Sequence, residues 1–426
     1  LRVAVVGSGI AGLTAAHCLH PRHEITVFER EDRIGGHTNT IDVDIDGESF
    51  PVDTGFIVFN DWTYPSFKTL LRHLEVPSRP AEMSFSVRCD RTGLEYKGDQ
   101  FTDLFIQRRN LVRPAFWQML GDIVRFNALA VRSLADLPAS LTLGEFLAQH
   151  RFSGTFREQY ILPMGAAIWS AHPDAIDSFG AAFFIRFLRN HGMLNPGQRR
   201  FWRTVIGGSK QYAQALASPI MHRIRTATWV ERITRHEAGV TLRLTDGHAA
   251  TFDHVFIACH SDQALAMLAD PDEREQRTLE AIRYQPNEAV LHTDASLLPR
   301  RRGAWASWNY HVPADSRERV AVTYYMNRLQ GLRAPVPFCV TLNESDQIDP
   351  AKVIKRIDYA HPVLDANSER ARAEADQLRG TARTSYCGAY WRNGFHEDGV
   401  RSALDAVHAF EEEQVGYAQR ALPRVG

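Results

Sequence analysis

Lysine is almost missing from this chain: Lys68, Lys97, Lys210, Lys352 and Lys355 stand alone among 49 basic residues, so arginine carries nearly all the positive charge. The formal net charge is −1, which gives no global attraction to nucleic acid. The five cysteines, Cys18, Cys89, Cys259, Cys339 and Cys387, are odd in number and lack C-x-x-C spacing. That excludes a disulfide framework and a zinc site, and it fits a reducing compartment. No apolar stretch reaches the roughly 18 residues that a spanning helix needs. The first strand pattern begins too near Leu1 to leave room for a signal peptide within these residues, so a soluble or surface-bound mature chain is expected, with a leader removed upstream of Leu1 left open. H-E-x-x-H spacing, a nucleophile elbow and a Ser/His/Asp order are all absent, so no metal and no nucleophilic residue is expected to do chemistry. What remains is ordinary globular composition, 44% hydrophobic and 23% charged, over 426 residues. A chain of that length is expected to divide into two domains.

The informative segment is the beginning. Arg2 to Val6 reads as a buried parallel strand, and Gly7-x-Gly9-x-x-Gly12 then opens a helix through Ala11, Ala15 and Ala16. In this pattern Gly7 permits the turn and Gly9 lets the backbone approach a diphosphate. Gly12 lets the helix pack on the strand, and the free N–H groups around Ile10 and Ala11 face the phosphates. A second strand, Glu24 to Phe28, ends on Glu29, about 20 residues on, where a carboxylate accepts the ribose hydroxyls. Strand, glycines, helix and acid together specify a dinucleotide site.

The continuation Arg30-Glu-Asp-Arg33-Ile-Gly35-Gly36-His37-Thr38 resembles the R-x-G-G-R-x-x-T extension of the flavin amine oxidase superfamily, which includes phytoene desaturases and protoporphyrinogen oxidase. One departure is His37, where the family usually has arginine. Pro51-Val-Asp53-Thr-Gly55-Phe56 is similar to the family's D-x-G segment beside the flavin ring. Cys387-Gly388-Ala389-Tyr390 and Gly394 to Gly399 are similar to its C-terminal flavin motif, which feeds a last helix. Val400, Ala403, Leu404, Val407 and Phe410 give that helix an apolar face. The resemblance implies noncovalent FAD and an α/β fold, in which a Rossmann-type FAD-binding domain with a parallel sheet is interleaved with an α+β substrate domain. The expected boundaries are 1–75, 205–284 and 371–426 for the first, and 76–204 and 285–370 for the second. It also implies a backbone contact from Val230 to the adenine end. A helix start at Glu397, Asp398, Gly399 and Val400 is expected at the flavin's carbonyl edge.

For the chemistry, the resemblance places Trp305, Trp308, Tyr324, Tyr325, Tyr390 and Trp391 in segments that pass the flavin, as pocket walls or as plain core. His292 and His396 are the bases to examine, because histidine titrates near working pH, and each also has a structural reading. True amine oxidases of the superfamily carry a lysine near the flavin, and Asn287 to Pro299 and Ala304 to Val312 hold none. The blocks Val290 to Asp294 and Trp305 to Tyr310 instead resemble a bacterial subgroup associated with fatty-acyl modification. The expected activity is therefore hydride removal from an apolar, lipid-linked chain. An oxygen-using oxidase of an amine, porphyrinogen or carotenoid-like compound, and a non-catalytic flavoprotein, stay open. Phe116, Trp117, Leu120 and Val124 lie near Arg108, Arg109, Arg113 and Arg125, and Phe183, Phe184 and Phe187 near Arg186 and Arg189, with Arg199 to Arg203 behind. Such stretches are either core faces with solvated arginines or a peripheral contact with the inner face of a membrane. A cytoplasmic location is expected, and oligomeric state is left open.

Overall fold

The computed structural model describes residues 1–98, 100–138, 140–169, 173–194, 201–314, 321–374, 378 and 381–421. Its first layer is a five-stranded, fully parallel sheet in the order Ile224–Arg225, Glu24–Phe28, Arg2–Val6, His254–Ile257, Thr384–Tyr386. Val3, Ala4 and Val5 are all fully buried, as unbroken apolar runs are in parallel strands covered on both faces. On one face lie helix Ile10–Leu19 and the long final helix His396–Ala421, side by side. The small residues Ala15, Ala16, Ala403 and Ala406 let the helices approach, and Phe410 fills the space between them and Phe256. The other face is covered by the antiparallel strands Val230–His236, Gly239–Leu244 and Ala249–Phe252. The result is the expected mixed α/β architecture around a parallel sheet.

A seven-stranded mixed sheet forms the second half, in the order Val353–Pro362, Tyr284–His292, Cys339–Leu342, Ala321–Tyr325, Trp308–Val312, Phe85–Cys89, Leu94–Lys97. Helices Pro114–Ser133, Leu143–Gln149, Leu162–Trp169 and Ala181–Asn190 share one apolar core with it. Capping is explicit where it is needed: Thr142 and Glu145 form a reciprocal capping box at the start of Leu143–Gln149. The chain passes repeatedly between the halves. The parallel sheet draws its strands from 2–28, 224–257 and 384–386, and the mixed sheet from 85–97 and 284–362. The space left between them holds the site.

Candidate active site

The glycine turn is built as its spacing predicts, with each glycine answering to a different neighbour. Gly7 has φ +102°, and a Cβ there would sit 2.8 Å from the Ala258 carbonyl oxygen. A Cβ on Gly12 would fall inside the contact radius of the Gly7 carbonyl oxygen. Around Gly9 the space is open, with no atom near the place a Cβ would take. Helix Ile10–Leu19 starts at Gly9 with no side-chain cap and no acid in its first turn. Its first N–H groups therefore keep their positive end for an anion.

Glu29 ends the second strand with its carboxylate turned back to this turn. Oε2 accepts the Ser8 N–H at 2.8 Å and the Ser8 hydroxyl at 2.5 Å, and Oε1 accepts the Glu31 N–H at 2.9 Å. Oε1 keeps lone-pair capacity for a ribose hydroxyl. Ser8 was not among the residues expected here; its position inside G-x-G was the available signal. Gly36 lies against Gly9, 3.3 Å from its Cα to a virtual Cβ, and Arg33 donates to the Gly36 carbonyl at 2.9 Å. Gly55 is required by the His37 carbonyl, which a Cβ would overlap and which also accepts the Phe56 N–H at 2.9 Å.

These elements open into a cavity of about 2210 Å³. A typical small-ligand pocket is roughly 300–1,000 Å³, so this one has room for a dinucleotide and a second molecule. One arm is lined by Gly7, Gly9, Ile10, Ala11, Glu29, Arg30, Arg33, Gly35, Gly36, His37 and Val230. Gly55, Phe56 and His396 also line it, and a second set of lining residues, from the mixed sheet and its helices and called the second arm below, includes Trp308, Tyr324, Leu120, Met164 and Phe187. Tyr390 also lines the cavity.

Several expected residues lie elsewhere. Gly12 and Thr38 are packed behind the lining rather than in it. Glu397 accepts the Ser66 and Phe67 N–H groups at 3.1 and 2.8 Å, capping helix Pro65–His73. Asp398 accepts the Asn393 and Phe395 N–H groups, closing the turn before its own helix. Its pKa is pushed up to about 6, chiefly by burial. Gly399 sits against Ile10, and Val400 is core. Trp305 donates to the Pro299 carbonyl and packs on Tyr325, and Trp391 packs on Tyr390; Trp305, Tyr325 and Trp391 lie outside the cavity lining. His292 is fully buried inside the mixed sheet, where Nε2 pairs with the Thr341 hydroxyl at 2.7 Å and Nδ1 accepts the Asp294 N–H. It is not part of the cavity lining, and both its ring nitrogens are already engaged.

His396 does reach the cavity wall. Its ring stacks on Phe56, centroids 3.6 Å apart and planes 11° apart, and Nε2 meets the Tyr212 hydroxyl at 2.7 Å and the Thr38 hydroxyl at 3.1 Å. Burial drives its pKa well below the ordinary histidine value, so the ring stays neutral. A neutral, doubly engaged imidazole orients Phe56 better than it collects a proton.

Sequence reading did not anticipate the group opposite. His361 and Tyr359 point from one face of the edge strand Val353–Pro362, and the alternation Ile357-x-Tyr359-x-His361 carried that signal. His37 stacks on Tyr359 at 4.7 Å, with His361 at 5.1 Å and His260 at 6.2 Å. Desolvation, then the neighbouring imidazole and Arg33, bring the His37 pKa down to about 4. Burial likewise brings His260 to about 4 and His361 to about 3. Buried polar atoms normally have partners, yet four on cavity-lining residues have none among the described residues: His37 Nε2, Trp169 Nε1, Trp308 Nε1 and the Tyr390 hydroxyl. The open space at Gly9, the uncapped helix start, Glu29 and these orphans fit a bound dinucleotide. No group of three or more candidate metal ligands occurs among the described residues.

Comparisons with known proteins agree with this geometry. Residues 10–312, more than half the chain, match the family profile described as flavin containing amine oxidoreductase. A protein of Mycobacterium tuberculosis named as a flavin-containing monoamine oxidase, AofH, is 28% identical over 287 residues, covering 63% of this chain and 59% of the relative. The match thus spans less than two thirds of that relative. Cyclohexylamine oxidase from Brevibacterium oxydans superposes with a TM-score of 0.68 at 17% identity, over 97% of this chain and 99% of that one. A fatty acid isomerase from P. acnes gives 0.67 at 17% identity over 96% and 98%, and putrescine oxidase gives 0.67 at 15% over 97% and 99%. At such identities the structures establish a shared fold. Turn, acid, helix start and family profile together place this chain in the flavin containing amine oxidoreductase family, whose cofactor is FAD.

Proposed function

We propose that the protein is an FAD-dependent oxidoreductase that removes hydride from an apolar, fatty-acyl or phospholipid-linked chain. FAD, when bound, supplies the hydride acceptor. The balanced step breaks two C–H bonds: one carbon gives up hydride, its neighbour gives up a proton to water, and a C=C bond forms between them. The chain's own part is to hold those carbons in register, which is where proximity lowers the barrier.

The observation that carries this reading is the wall of the second arm. Leu120, Ile123, Met164, Trp169 and Phe187 line it. Of the carboxylates lining the cavity, Glu29, Glu31, Asp32 and Glu231 belong to the dinucleotide segments, Asp358 is exposed on the edge strand, and Glu82 is already paired with Arg328 at 2.8 Å and with the Ser84 hydroxyl. A buried ammonium would need an unengaged carboxylate, whereas an acyl chain needs only apolar contact. His396, held neutral, supports Phe56 on the cavity wall.

An oxygen-using amine oxidase is the competing reading, favoured by the name of the mycobacterial relative. Anaerobic titration of the flavin-loaded protein separates the two. Bleaching of flavin absorbance by fatty acids or phospholipids, with an unsaturated product by mass spectrometry, is expected. Bleaching by amines and not by lipids would overturn the reading, and no bleaching by any donor would favour a non-catalytic flavoprotein.

A further inference from the structure

Large apolar side chains are conspicuous on one part of the surface. Phe101, Leu111, Val112, Trp117, Val124 and Val131 are 68, 51, 81, 46, 71 and 47% exposed, and they come from one stretch of chain. Phe201, 71% exposed, joins them from elsewhere in the sequence. Phe101, Leu111 and Trp117 are linked. The Trp117 ring nitrogen donates to the Leu111 carbonyl, Trp117 packs on Phe105 at 5.3 Å, and Phe105 packs on Phe101 at 5.3 Å. Trp117, Val124 and Val131 recur every seven residues on helix Pro114–Ser133, so they share one side. Phe116, Met119, Phe126 and Ala130 occupy the buried side of the same helix. The helix therefore has a core face and a second apolar face turned to water, which an ordinary surface helix does not have.

Two further observations identify the occupant. Phe101, Val124 and Phe201 are both exposed and part of the cavity lining, so this face surrounds an opening of the cavity. Between Phe101 and Ser133 the chain carries Arg108, Arg109, Arg113, Arg125 and Arg132 with no lysine and no glutamate. The stretch's acids, Asp103 and Asp122, are each neutralised, by Lys97 at 3.6 Å and Arg125 at 2.8 Å. Arg108, Arg109 and Arg132 are exposed. Apolar side chains flanked by arginines that have no carboxylate partner among the described residues match the acyl boundary and phosphates of an anionic bilayer, not the mixed charge of a protein partner. No helix among the described residues is long and apolar enough to cross a membrane, so contact would be peripheral.

We infer that this face docks on an anionic lipid bilayer, seating the cavity opening against the acyl layer. Arg199 and Arg200, which the sequence places beside Phe201, lie outside the described residues. The surface stands on exposure and charge alone. Failure of lipids to bleach the flavin would leave it in place, and failure of docking would leave the substrate reading in place.

Flotation of the flavin-loaded full chain with vesicles tests it. Binding is expected to vesicles of phosphatidylcholine with phosphatidylglycerol, to weaken about fivefold for each arginine removed in Arg108→Gln and Arg132→Gln, and to fall in high salt. Val112→Asp/Val131→Asp, which replaces no cavity-lining residue, is expected to abolish flotation while flavin content and melting temperature stay unchanged. Equal flotation of that variant, or no flotation of the parent protein with either anionic or neutral vesicles, overturns the inference. A dimer by sedimentation velocity that Val112→Asp/Val131→Asp dissociates would assign the face to a second copy of the chain and also overturn it.

Discussion

Gly9→Ala and Gly12→Ala look equivalent on paper, yet the structure separates them sharply. At Gly12 the new methyl group would overlap the Gly7 carbonyl oxygen and lie 3.2 Å from the Ala258 Cβ. The obstacle is backbone in a turn that is itself fixed by Ala258, so nothing can rotate away. Overpacking of this kind costs about 1–3 kcal/mol whether or not FAD is present. At Gly9 the backbone is extended, φ −66° and ψ −179°, a region any residue adopts, and the methyl would meet no protein atom. Alanine is a poorer N-cap than glycine, but it also restricts the unfolded chain by about 0.4–1 kcal/mol, so the two effects nearly cancel. The methyl instead occupies ligand space. Loss of one hydrogen bond to a charged phosphate costs about 1.5–3 kcal/mol, which is about 10- to 150-fold in Kd. Apoprotein stability by urea unfolding and FAD affinity by flavin fluorescence quenching should therefore dissociate. Gly12→Ala lowers stability, and Gly9→Ala lowers affinity at parental stability. Gly9→Ala that unfolds as easily as Gly12→Ala, or that binds FAD as the parent does, would refute the assignment of that space to the dinucleotide.

Three other outcomes are expected. His37, held neutral at about 4 beside His260, His361, Tyr359 and Arg33, gains stability as a cation when an anionic diphosphate binds nearby. Its pKa then rises on binding, a proton is taken up, and FAD Kd should increase with pH above about 4, by at most tenfold per unit for one proton; His37→Arg should flatten the profile, and a flat parental profile in fluorescence titrations from pH 5 to 8 would contradict this. His311 bridges Asp90 at 2.9 Å and Glu344 at 3.0 Å. Burial alone would depress its pKa, but the Glu344 and Asp90 bonds outweigh burial and raise it. A raised histidine stabilises fully below the unfolded value of about 6.5 and loses that contribution as pH climbs through the folded value. Thermal melts of the parent should thus fall over that window relative to those of His311→Asn. Phe410→Ala empties a site between His254, Phe256 and His23 and should cost about 3–5 kcal/mol in urea unfolding.

The dinucleotide arm was legible in the sequence because local backbone demands write themselves into residue identity. A turn at Gly7 with positive φ, an open approach at Gly9 and a carboxylate at the end of the second strand each admit few residue types at fixed spacing. The same holds for the final helix, whose apolar period is local, although Glu397 and Asp398 turned out to cap backbone rather than face the cavity. The second arm was not legible. Trp305, Tyr325 and Trp391 are aromatic neighbours of Trp308, Tyr324 and Tyr390, and only the folded backbone, by strand register at Tyr324 and Tyr325 and by a short turn at Tyr390 and Trp391, decides which of them line the cavity. His292 and His396 are likewise indistinguishable as letters; one is enclosed by the mixed sheet and the other is stacked on Phe56 on the cavity wall. The apolar side of helix Pro114–Ser133 follows the same rule. The sequence grouped Phe116, Trp117, Leu120 and Val124 as one apolar stretch, and only the packing of Phe116 and Phe126 into the core decided that Trp117 and Val124 are the ones left exposed. Local constraints are fixed by neighbours in the chain, whereas side-chain exposure is fixed by contacts hundreds of residues apart.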